Sequence, residues 1–151
     1  MNKLRLFLSL ALMGLMFVAC EKEKTTIETP NTPESALFKG TMDVDQNDGT
    51  SYTQSDVEVN YEIKDGKLNF TMLKVKFSPN MPLQIDMVVE GVDYKETADG
   101  YTISGENIVP LAMGGPFPQF TITNLEGSIK GDEMTLTFMC GEYPVVYNGT
   151  R

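Results

Sequence analysis

The chain contains no histidine and no tryptophan, and it has only two cysteines. Without histidine there is no imidazole base for a Ser-His-Asp triad or a Cys-His pair, and the usual zinc ligand sets lose a member. Glycine-framed serine elbows and phosphate-cradling glycine loops are absent too. Basic residues are scarce: 12 Lys+Arg stand against 21 Asp+Glu, for a formal net charge of −9. Such a surface repels phosphates and anionic head groups, which argues against nucleic-acid binding and against a polybasic membrane contact. Helical periodicity is almost missing after the first twenty residues. These absences leave no catalytic motif and predict neither an enzyme nor a cofactor or metal site.

Lys3 and Arg5 form a short positive start, Leu6 to Val18 is almost wholly apolar, and Ala19 precedes Cys20. The run is shorter than the ~20 residues of a membrane span and is followed at once by Glu21-Lys22-Glu23-Lys24. The pattern predicts a secretory signal over residues 1–19. Met16-Phe17-Val18-Ala19-Cys20 resembles a lipoprotein signal-peptidase box, with Phe17 where such boxes most often carry Leu. The resemblance implies a mature chain beginning at a lipidated Cys20, and hence a membrane partner and a cell-envelope location at the outer membrane. At ~0.8 kcal/mol per buried methylene, several acyl chains anchor where one would be marginal. The periplasmic and outward faces of that membrane both stay open.

Residues 20–35 continue as a lipidated cysteine and a tether rich in charge, Thr and Pro. Such a composition stays disordered because it buries too little to offset its ordering entropy. With Cys20 lipidated, Cys140 has no partner, and its place in the series Met134, Leu136, Phe138, Cys140 predicts a buried inert thiol.

From Ala36 onward the apolar residues alternate with period two, the mark of strands with one buried face. Val57, Val59, Tyr61 and Ile63 face one way, and Leu68, Phe70 and Met72 follow after Lys64-Asp65-Gly66-Lys67, a tight hairpin turn. The phase then flips to Leu73, Val75 and Phe77, which predicts a β-bulge near Met72 and Leu73. Further inward rows are expected at Leu83, Ile85, Met87 and Val89, at Tyr101 and Ile103, at Phe120 and Ile122, at Met134 to Phe138, and at Tyr143 to Tyr147. With an opening strand over residues 37–44 this makes roughly eight. Short turns between them predict an all-β, antiparallel, up-and-down barrel over residues 36–151, closed so that no strand edge is left open.

Phe38-Lys39-Gly40-Thr41-Met42-Asp43-Val44, Lys74-Val75-Lys76-Phe77 and Ile108-Val109-Pro110-Leu111 leading into Gly114-Gly115-Pro116-Phe117-Pro118 look like the calycin-like domain of small secreted bacterial lipoproteins. The resemblance spans about residues 36–150 and implies a lipocalin-like barrel, in a family with no settled activity. Gly40-Thr41-Met42 stands where true lipocalins carry Gly-x-Trp, so their ligand role does not carry over.

Two functional readings follow. A hollow barrel would hold a small hydrophobic or amphipathic ligand against Tyr61, Phe70, Met72 and Met87, with Met113 and Phe117 on a lid over its mouth. A filled barrel would need no ligand, and the same two loop residues would only plug the core. The alternative is a non-catalytic adhesion or scaffold module that meets an envelope protein or a glycan through its outer surface. Asp43-Val44-Asp45-Gln46-Asn47-Asp48-Gly49 begins like a calcium loop, but Gly comes one place late and Gln54 replaces the bidentate Glu. It is better read as a hairpin turn.

Overall fold

The computed structural model describes residues 33–151. The expected signal peptide of residues 1–19, Cys20 and the expected tether up to residue 32 lie outside the described residues.

Ten strands follow in chain order: β1 Ser35–Asp45, β2 Ser51–Lys64, β3 Lys67–Val75, β4 Ile85–Thr97, β5 Gly100–Gly105, β6 Leu111–Ala112, β7 Gly115–Pro116, β8 Ile122–Lys130, β9 Glu133–Cys140 and β10 Tyr143–Thr150. All pairings are antiparallel, and eight strands close into an up-and-down barrel in the order β1-β2-β3-β4-β5-β8-β9-β10, with β10 back against β1. The expected all-β architecture is what the chain adopts. The expected start shifts by one residue, since Ser35, assigned to the tether, is already paired with Glu62. The chain is held just before that: the Glu34 carbonyl accepts the Ile63 N–H at 2.7 Å, and the Pro33 carbonyl accepts the Tyr61 hydroxyl.

Turn chemistry sets the register. Asp65 and Gly66 both take positive φ, 55° and 77°, as a primed two-residue turn between right-twisted strands requires. Asn47 and Gly49 do the same in the β1–β2 loop. There the Asp48 carboxylate accepts the Thr50 hydroxyl and N–H, and these bonds lower its pKa. The acidic segment is thus a turn, and no group of three or more metal-ligating side chains occurs among the described residues.

Four bulges curl the sheet, each placing two residues opposite one. Leu73 and Lys74 lie opposite Asp86, which is the bulge expected from the phase flip. Ser55 and Asp56 lie opposite Thr41, Glu90 and Gly91 opposite Asn69, and Asn124 and Leu125 opposite Phe138. Every bulge carries one residue at positive φ: Asp56, Lys74, Gly91 or Asn124. A neighbouring side chain accepts the N–H at three of them, from Asp86 to Lys74, Asn69 to Gly91 and Glu106 to Asn124. Gln54 is used in the same way, spanning the Lys74 carbonyl and the Lys76 N–H beyond the end of the β2–β3 ladder.

Inward residues of all eight strands form one core that includes Phe38, Met42, Val59, Leu68, Ile103, Ile129, Leu136, Cys140 and Tyr147. Burying each large apolar side chain contributes ~1.5–3 kcal/mol. Two expected inward residues are not inward: Leu83 is 60% exposed, because residues 82–84 form no strand and β4 starts only at Ile85, and Leu73, in the bulge, is paired with outward Glu58 and stays outside the core.

Candidate functional site

Tyr61, Phe70, Met72 and Met87 are brought together inside the barrel. Tyr61 is paired with Phe70 across β2–β3, and Met72 with Met87 across β3–β4. All four are only 0–1% exposed. A void wide enough for a water molecule would show as exposure on the side chains lining it, so these residues pack against protein on all sides. Tyr61 further packs against Phe38 at 6.1 Å between ring centroids and edge-on to Tyr101 at 6.3 Å. Burial pushes its hydroxyl up to about 12. Cys140 is fully buried, and burial also raises its thiol pKa, as its place in the strand pattern suggested.

Met113 and Phe117 part company. The segment containing them is a small hairpin, β6–β7, built into the barrel wall: Leu111 and Ala112 pair with Val88 and Met87 of β4, alongside the stretch that β5 is too short to reach. Met113 and Gly114 form its positive-φ turn, and Met113 is 69% exposed. Phe117 turns the other way, half-buried. It stacks on Phe120 at 5.2 Å, and Phe120 in turn packs edge-on to Phe77 at 5.1 Å. A single 3-10 turn, Pro118–Phe120, fixes that stack. Phe117 therefore caps the core, and Met113 does not.

An open hollow of about 830 Å³ lies on the outer face of β4, β5, β8 and β9. Register brings its side chains into two rows across the strands. One row is Asp93, Ser104, Glu126 and Thr137; the other is Lys95, Thr102, Ser128 and Thr135. The second row continues through Asn148 of β10 to Thr41 of β1. Short hydroxyl side chains in the middle and longer charged ones at the β4 end make the surface concave. A second hollow shares Asp93, Ser104 and Glu126 with the first, and a third shares Thr135 and runs on over Asn148 and Gly149 to Lys39. These three adjoining hollows lie in a line across the strands, here called the furrow. None of its residues was foreseen individually, because alternation marks a residue as outward without saying which outward residues of distant strands stand side by side.

Searches against protein-family models, curated proteins and solved structures returned no match to the chain.

Proposed function

We propose that the chain is a cell-envelope lipoprotein of the calycin-like kind, anchored through lipidated Cys20 at the outer membrane, whose barrel is a non-catalytic binding module acting through its outer face. The observation that carries the outer-face reading is the filled interior: the four side chains expected to line a ligand cavity are packed to 0–1% exposure, whereas the hollows on the outer face are open. Its partner is an envelope protein or a glycan, and the acidic surface disfavours nucleic acid.

Two measurements test this. The intact mass of protein extracted from its own membranes should correspond to a chain starting at an acylated Cys20; an unmodified Cys20 would remove the anchor. Native mass spectrometry of the same material should give the bare protein mass after delipidation. A few hundred extra daltons lost on denaturation would instead restore the ligand-filled barrel, with Tyr61, Phe70, Met72 and Met87 parting to admit the ligand.

A further inference from the structure

We infer that the furrow binds a neutral glycan chain laid across the strands, an inference that rests on the outer-face reading above and names the class of occupant. The row Thr102, Ser128, Thr135, Asn148 and Thr41 presents one short hydroxyl or amide per strand, at the strand spacing of ~4.7–4.9 Å. That is a periodic set of donors and acceptors with no charge among them. Most of this hydrogen-bonding capacity is unspent: the hydroxyls of Thr102, Ser128 and Thr41 have no protein partner, and Thr135 reaches Asn148 only at 3.5 Å.

Chemistry selects the occupant. Covering hydroxyls costs free energy unless each finds a new hydrogen bond, and a polyhydroxylated chain replaces water bond for bond. The lining includes Tyr94 and Ile103, but the hydroxyl side chains of Thr102, Ser104, Ser128, Thr135 and Thr137 outnumber them, and a polyhydroxylated chain suits that set better than a protein partner that needs an apolar centre. Charge disfavours the anionic alternative. Asp93 and Glu126 border the furrow against a single Lys95 at that end, on a chain of net charge −9. A polyanion would be repelled at that end, whereas a neutral polymer meets no opposing charge.

The test uses the full chain in detergent, run on native gels containing dextran, mannan or galactomannan, with alginate as the anionic control. Retardation by at least one neutral polysaccharide and none by alginate is expected. The triple variant Thr102→Val, Ser128→Ala, Thr135→Val removes three hydroxyls from outward positions and should weaken binding about tenfold without changing the melting temperature. Ser128→Lys, which fills the furrow with a long side chain, should abolish it. No retardation by any neutral polysaccharide, equal retardation by alginate, or undiminished binding by both variants would overturn the glycan. A photo-crosslinking residue at position 128 separates this failure from that of the parent reading. A protein adduct in the native envelope without polysaccharide binding overturns the glycan and keeps the outer-face module; neither adduct nor retardation overturns both.

Discussion

The Tyr147 hydroxyl of β10 donates to the Val57 carbonyl of β2 at 3.0 Å, spanning β1, which lies between the two strands. Both residues are buried. The acceptor stands beside the Ser55–Asp56 bulge, where the β1–β2 ladder is interrupted. Gly149 leaves room for the phenol, since a Cβ there would come within 2.3 Å of the hydroxyl oxygen. Tyr147→Phe should leave the Val57 carbonyl without this donor and lower the unfolding free energy by about 1–3 kcal/mol. Urea titration would read this, and an unchanged midpoint would mean that water or the ladder already satisfies that carbonyl.

Stability should fall in alkali. Burial holds Cys140, Tyr147 and Tyr61 protonated to higher pH in the native state than in the unfolded chain, where they titrate near 9.0 for the thiol and 10.0 for the phenols. Between those values and the raised native ones the native state binds more protons, so unfolding becomes easier as pH rises. Below about pH 8 all three are protonated in both states and contribute no pH dependence. The expected decline is up to about 1.4 kcal/mol per pH unit for each group in its window. Urea titrations in a series from neutrality into alkali would show it, and a flat profile to pH 11 or so would contradict the burial of these groups.

With Gly100, Gly40 is one of the two tightest points of the wall. A Cβ on it would lie 1.9 Å from the Asn148 carbonyl oxygen, and the neighbouring atoms are backbone that cannot step aside. Gly40→Ala should therefore cost more than about 3 kcal/mol, beyond the usual range for overpacking. Thr41→Ala, one residue on and pointing outward, should stay within about 0.5 kcal/mol. Thermal unfolding of the two variants side by side would separate a local clash from a general intolerance of β1.

Phe117 and Met113, four residues apart, should respond in opposite ways. Phe117→Ala removes a ring stacked on Phe120 and should destabilise the barrel by about 1–3 kcal/mol. Met113→Ala alters an exposed turn tip and should change stability by less than about 0.5 kcal/mol. If Phe117→Ala unfolds at the native midpoint, the ring is not a cap.

The strands were legible because alternation is a direct image of the pleat: Val57 to Ile63 and Leu68 to Met72 gave two strands, and Asp65-Gly66 gave their turn. The Leu73–Lys74 bulge was legible because it reverses the phase within an unbroken apolar run. The other three were not. Around Asp56 and Asn124 the sequence is polar on both sides, and at Glu90–Gly91 the extra residue joins two rows that each look regular alone. Leu83 misled because alternation in a loop is indistinguishable from alternation in a strand, and Pro82 beside it was the stronger signal. The packed state of Tyr61, Phe70, Met72 and Met87 depends on volume, and the furrow depends on register across six strands; neither quantity is written in the spacing of residues along one strand.

Seven of the eight barrel pairings join strands that follow one another around the wall, and only β1 with β10 joins its two extremes. Successive hairpins can therefore form with little loop-closure entropy, while the pairing of Lys39 with Thr150 must wait until the whole ribbon has curled. Until then β1 and β10 are both open edges able to pair with another chain. The chain is most exposed to aggregation in that interval, and Gly40, where a Cβ on β1 would run into the backbone of β10, lies on the seam that ends it.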